Sequence, residues 1–240
     1  KPGFYLASNY VGLYLITKEE GHWKIVNKIK GFDESSRDIL ADTEPNTYWV
    51  CHGYKGVYKL HFNSDYSRVD AVDHFTDKNG FKSPYNINVF NWKGKIIFTT
   101  NTGIYDYNNH NSRFKLYEPH NKLFDPTKNT RKILVANNKT WFIQDDEAGY
   151  FDSNSENPKL NKDLFLNLKG SFNRGMESIY PLSNGKVFFG TNSGLYLYTI
   201  LDDKVTGKYP TIISKINYFE TFQFRSILYC RLKSFNCFSQ

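Results

Sequence analysis

The chain has 240 residues, 18% of them aromatic, with 18 Tyr and 20 Phe against a single Met, a composition that favours pleated strands over helices. Its length fits one all-β domain with a sizeable buried core. The formal charge of +7 comes from 31 Lys+Arg against 24 Asp+Glu, scattered in ones and twos, without the clustered basic face of a nucleic-acid binder.

From the N-terminus onward one phrase returns five times: an apolar strand, a short polar turn, then Gly followed by apolar or aromatic residues. It opens as Phe4-Tyr5-Leu6 before Gly12-Leu13-Tyr14 and returns as Tyr48-Trp49-Val50 before Gly56-Val57-Tyr58. The third copy is Ile96-Ile97-Phe98 before Gly103-Ile104-Tyr105, and the fourth is Trp141-Phe142-Ile143 before Gly149-Tyr150-Phe151. The fifth is Val187-Phe188-Phe189 before Gly194-Leu195-Tyr196. By subtraction the five glycines stand 44, 47, 46 and 45 residues apart, while Ile39, Ile87, Ile133, Ile179 and Ile227 keep a parallel beat of 48, 46, 46 and 48. A fixed period of this length marks a repeat architecture.

Each repeat predicts four short strands, clearest in the third at 86–92, 95–100, 103–107 and 113–118. Asn101-Thr102-Gly103 and Asn192-Ser193-Gly194 place glycine where a hairpin turn needs positive φ. The second strands are continuous apolar runs, so both faces of each sheet are expected to be covered. Together these features predict an all-β fold: a β-propeller of four-stranded antiparallel blades, about five repeats of roughly 45 residues, as part of a longer propeller. A β-sandwich, the alternative, has turn signals every ~8–12 residues but no such longer period. Trp49 and Phe188 are expected as wedges between sheets.

The first unit enters at its second strand, over 3–8, and blades are expected over 1–218. Segment 219–240 contains Arg225-Ser226-Ile227-Leu228, in the register of Arg37-Asp38-Ile39-Leu40, and is expected to be a partial next blade or a strand closing a five-bladed ring. Lys1-Pro2-Gly3-Phe4-Tyr5 carries no charged leader and nowhere do 18 apolar residues run together. The expectation is a region without membrane insertion, whose leader, anchor or further domains lie outside it.

The stretch from Val187-Phe188-Phe189-Gly190-Thr191 through Asn192-Ser193-Gly194-Leu195-Tyr196 resembles the two-component-regulator propeller repeat, whose pattern runs Trp-Ile-Gly-Thr, a short turn, then Gly-Leu and an aromatic. Trp49 and Gly56 keep that pattern, whereas Cys51-His52 and Thr99-Thr100 stand where Gly-Thr is expected, and 144–148 alters the turn. The resemblance implies a periplasmic sensor region of a bacterial signalling or transcription-regulatory protein, often for oligosaccharide-like nutrients. It also implies a following triple-tyrosine domain and an output domain in the same polypeptide. The family motif is structural, so the resemblance carries over no catalytic residue.

Enzymatic signatures are missing. Ser153-Asn154-Ser155-Glu156 lacks the Gly and Trp of a sialidase-type box, and no Gly-x-Ser-x-Gly elbow, phosphate loop or His-Glu-x-x-His helix occurs. Cys51, Cys230 and Cys237 form no CxxC pair, and no metal or cofactor is expected. Cys51 and His52 are strand neighbours that point to opposite faces. Asp145-Asp146-Glu147 reads as a solvated turn.

In a propeller the loops entering each first strand gather at one rim with the second-to-third-strand turns. Here the entry loops are long, at 28–36, 74–85, 119–130 and 167–177, and carry Phe32, Phe81, Phe124 and Phe172. Two residues before each marker isoleucine stand Arg37, Tyr85, Arg131, Glu177 and Arg225. The candidate ligand-binding residues are therefore Arg37, Tyr85, Arg131, Glu177, Phe32 and Phe81, suited to a small polar or glycan ligand by guanidinium forks and stacking rings. Arg37 and Arg131, 94 residues apart, are expected to anchor that ligand across the channel mouth. For the loop phenylalanines a role as wedges between blades competes. The function expected is non-catalytic ligand sensing without direct nucleic-acid contact; a protein-interaction scaffold is the alternative.

Overall fold

A computed structural model describes residues 3–182 and 185–199. Among them seventeen strands form five antiparallel sheets, each a meander in chain order. The first sheet joins β1 (Phe4–Asn9), β2 (Gly12–Glu19) and β3 (His22–Lys28). The second holds β4 (Asp38–Ala41), β5 (Thr47–His52), β6 (Gly56–Phe62) and β7 (Val69–Phe75). The third holds β8 (Asn88–Trp92), β9 (Lys95–Thr100), β10 (Gly103–Asn108) and β11 (Arg113–Leu116), within two residues of the expected bounds. The fourth has β12 (Thr130–Ala136), β13 (Lys139–Gln144) and β14 (Glu147–Asp152), and the fifth β15 (Ser178–Pro181), β16 (Lys186–Thr191) and β17 (Gly194–Thr199).

The core explains the continuous apolar runs. Four clusters of buried side chains each lie between one sheet and the next. In β5, Val50 belongs to the cluster shared with the first sheet, while its neighbours Trp49 and Cys51 belong to the one shared with the third. Adjacent strand residues point to opposite faces, so a run apolar at every position covers both. The three middle sheets are covered on both sides. Among the described residues the first and fifth are covered on one: Tyr5, Ile16 and Ile25 align across the first sheet's outer face, with Tyr5 and Ile25 exposed. Trp23 packs edge-on against Tyr5 at 5.0 Å, and Tyr180 and Leu195 are exposed on the fifth sheet.

Three expectations shift in detail. Gly12, Gly56, Gly103 and Gly194 head the third strands of their units with positive φ, but Gly149 is the third residue of β14. Glu147 takes the heading place, pairing with Gln144 as Gly103 pairs with Thr100. Gly149 has a different reason to be glycine, because a Cβ there would lie 2.6 Å from the Phe142 ring and 2.8 Å from the Asn161 carbonyl oxygen. Second, the fourth repeat has three strands instead of four. Where the fourth is expected, a polar run ending at Pro158 leaves only one bridge, between Tyr150 and Asn161, before a 3₁₀ turn at Asp163–Leu168. Third, Phe188 is only partly buried: it pairs with Tyr180 and Leu197 on the outer face, and Phe189 is the fully buried wedge. Arg225, Ile227 and the segment 219–240 lie outside the described residues.

Glu147 also corrects the reading of its turn as merely solvated. Its carboxylate accepts from Lys128 at 3.0 Å, Lys162 at 3.2 Å and Lys169 at 3.0 Å. The hydrogen bonds from these lysines hold its pKa down at about 2. A depressed carboxylate contributes stability that is complete above its unfolded pKa of about 4.3 and is lost as pH falls through the folded value. Glu147→Gln is therefore expected to lower stability at pH 7 by about 1–2 kcal/mol, discounted because the lysines are part-exposed, and to flatten stability between about pH 5 and 2. Urea titrations across that range check this; parallel pH profiles for variant and parent would remove the network's role.

Candidate ligand-binding cavity

One end of the stack of sheets opens into a cavity of about 710 Å³. All five sheets reach it. The first supplies Asn9 and Tyr10 from the β1–β2 turn, and the second supplies Arg37 before β4 and His52 and Tyr54 around the β5–β6 turn. Asn86 arrives just before β8, Arg131 from β12, and Arg174 and Gly175 from the loop before β15. Strand entries and second-to-third-strand turns thus meet at this mouth.

The three arginines differ in how they are held. Arg131 is the extra residue of a β-bulge between Thr130 and Lys132, which re-aims it inward, and its side chain is only 5% exposed. Its Nη2 donates to Asp145 at 3.1 Å, while Glu177 Oε1 lies 3.6 Å from its Nε, which has no hydrogen-bond partner. Glu177 in turn accepts the Gly175 N–H at 2.9 and 3.0 Å, tying the Arg174-Gly175 loop to the same network. Arg37 and Arg174 make no side-chain hydrogen bond or ion pair among the described residues. A Cβ on Gly175 would come within 3.2 Å of Arg37 Nη2, so the glycine gives that guanidinium its room.

Two further groups shape the electrostatics. Burial pushes the Asp38 carboxyl pKa up, against the pull of Lys132 and Arg37. His52 Nδ1 accepts the N–H groups of Tyr54 at 3.0 Å and Lys55 at 3.2 Å, which leaves the proton on Nε2. Burial lowers its pKa, so the ring is neutral at pH 7.

Of the residues expected at the rim, Arg37 and Arg131 lie on this wall, and Glu177 stands buried behind it as the Arg131 partner. Phe32 and Phe81 do not: they are 4% and 3% exposed, wedged in the clusters between sheets one and two and sheets two and three. Tyr85 points to solvent away from the wall because the isoleucine beat slips in the third repeat. Ile39, Ile133 and Ile179 face Val50, Phe142 and Phe189, and the matching pair there is Val89 with Phe98, two residues after Ile87. The place of Arg37 is thus held by buried Ile87.

Sequence reasoning missed Tyr10, Tyr54 and Arg174. Tyr10 and Tyr54 sit in matching hairpin turns of consecutive repeats and are 84% and 74% exposed, a coincidence that the repeat alignment contains. Among the described residues no group of three His, Cys, Asp or Glu could hold a metal, and no helix is long and apolar enough to cross a membrane.

No family model and no curated protein matches the chain. Solved structures do. The extracellular domain of the BT3049 hybrid two-component system from B. thetaiotaomicron matches with a TM-score of 0.51 at 15% identity, over 82% of this chain and 26% of its own. The extracellular domain of BT4673 from the same organism matches in two structures, with TM-scores of 0.53 and 0.51 at 14% identity. They cover 82% and 85% of this chain and 25% of their own, so the chain spans about a quarter of the domains it resembles.

Proposed function

We propose that the five sheets are consecutive blades of a β-propeller serving as the ligand-sensing region of a bacterial signalling protein, outside the cytoplasm in the periplasm. It binds a small polar or glycan ligand in the rim cavity and performs no chemistry on it. The observation that carries the reading is the open mouth itself, where Arg37 with no partner among the described residues stands among the exposed rings of Tyr10 and Tyr54. A cavity of this volume suits a mono- or disaccharide, with rings to stack on sugar faces and donors to fix orientation.

The apolar outer faces of the first and fifth sheets, which no described residue covers, support further blades beyond them, because a stack that buries every inner face leaves its two end faces in need of cover. The likeness to extracellular domains of two-component systems supports the sensing role and the location, with an output domain of the same polypeptide as the partner. The non-catalytic reading is supported by the two nearest reactive groups: Cys51 is fully buried with its pKa pushed well up by burial, and His52 spends Nδ1 on backbone N–H groups. Calorimetry of the chain against neutral and acidic oligosaccharides tests the proposal. Tyr10→Ala and Tyr54→Ala are each expected to weaken binding by about threefold to tenfold. Absence of binding across the panel, with capture of a protein partner at the same rim, would favour the scaffold reading instead.

A further inference from the structure

We propose that the rim cavity is an anion site that selects ligands bearing a carboxylate or sulfate, gripped by Arg37 and Arg174 and oriented by Arg131; this rests on the ligand-binding reading above. The wall carries three guanidinium groups and no Asp or Glu. Asp145 and Glu177 partly compensate the one at Arg131, but they do so from behind it and are absent from the wall. Of the acids beside the wall, Glu34 lies 3.9 Å from His52 Nε2 but is paired with Lys55 at 2.8 Å, and Asp38 follows Arg37 in the chain with its pKa raised by burial; His52 is neutral. The mouth therefore keeps a positive surplus at Arg37 and Arg174, which make no side-chain hydrogen bond or ion pair among the described residues.

A separate observation is how firmly Arg131 is held. Its Nε faces Glu177 Oε1 at 3.6 Å and its Nη2 donates to Asp145 at 3.1 Å, so the buried side chain is fixed from behind as part of the wall. A neutral sugar hydroxyl can accept from Arg37 or Arg174, yet only an anionic oxygen also offsets their charge. Guanidinium forks match the planar carboxylate and the sulfate oxygens in two-point fashion. The loop carrying Arg174 is set by the Glu177 carboxylate on the Gly175 N–H, so Arg174 is placed by the same network that holds Arg131. Glu177 is thereby a positioning residue.

The test is calorimetry on the 240-residue chain with three kinds of oligosaccharide: uronate-bearing, sulfated, and the uronate kind after reduction of its carboxyl to an alcohol. An acidic form is expected to bind at least about tenfold tighter than its neutral counterpart and to weaken as ionic strength rises. Arg37→Ala and Arg174→Ala should each remove about tenfold of that affinity, with Arg174→Lys retaining part of it. Arg174 is exposed, so its variants report on binding without disturbing the fold. Equal affinity for charged and neutral forms, or acidic binding indifferent to both arginines, overturns the anion proposal and leaves the ligand-binding reading standing. Failure of all three kinds together with a neutral panel overturns both.

Discussion

Trp49→Ala is expected to cost about 3–5 kcal/mol of unfolding free energy, the range for removing a large aromatic from a core that cannot close the gap. Trp49 is 2% exposed in the cluster between the second and third sheets. Its ring meets Tyr107 at 4.9 Å, Phe98 at 5.0 Å, Phe75 at 5.7 Å and Phe114 at 6.1 Å. Three of those partners come from the neighbouring sheet, so the loss falls on the contact that holds two sheets together. Each partner is fixed by others, Phe98 against Phe114 at 4.9 Å and Phe75 against Tyr107 at 5.3 Å, so the cavity does not collapse cheaply. Phe188→Ala is the matched control: on a partly exposed outer face it is expected to cost about 1 kcal/mol, near the average for point mutants. Equilibrium urea unfolding of both variants measures the contrast. Equal losses would mean that the outer face of the fifth sheet is covered as completely as the inner one.

What the sequence displays of this fold is what repetition amplifies. Gly12, Gly56 and Gly103 recur because the same hairpin geometry recurs, and the apolar runs of β5, β9 and β13 recur because every inner sheet is covered twice. Interruptions of the repeat stay hidden. Glu147 can take the place of a heading glycine because the left-handed conformation falls on Asp145 in the turn before it, and no spacing rule anticipates that. The Ile87 beat looked regular although the entry into β8 is two residues out of register, so Tyr85 was assigned a place that Ile87 holds. At the site, Arg37 and Arg131 were legible because both sit beside a strand start. Arg174 and the two exposed tyrosines were not, since a loop arginine and a turn tyrosine look alike whether they face a cavity or open water.

Gly56→Ala is expected to cost about 2–5 kcal/mol, a large loss for the addition of one methyl group. Two effects combine. Gly56 has φ of 87°, in the left-handed region that costs a side-chain-bearing residue about 1–2 kcal/mol. A Cβ there would also press well inside van der Waals contact on the Phe75 carbonyl oxygen, with the Phe75 carbonyl carbon at 3.2 Å and Thr76 Cα at 3.5 Å. The obstacle is backbone, at the end of β7, and Phe75 is itself anchored against Trp49, so relief requires shifting a strand; such overpacking adds about 1–3 kcal/mol. The equivalent Gly12 meets the Phe32 carbonyl oxygen at 2.7 Å, whereas a Cβ at Gly103 meets the Asn121 side chain at 2.7 Å, a group able to rotate. Rotation would release the Ile104 N–H that Asn121 caps at 2.9 Å, so Gly103→Ala should fall below Gly56→Ala in cost but above Gly94→Ala. Gly94 shares a positive φ of 81° with nothing within 4 Å of a Cβ, and isolates the conformational part. Unfolding midpoints for the three alanine variants should rank in that order. A Gly56→Ala protein as stable as Gly94→Ala would mean that the chain leaving the second sheet yields freely over the β5–β6 hairpin, and that the recurring glycine answers only to the turn.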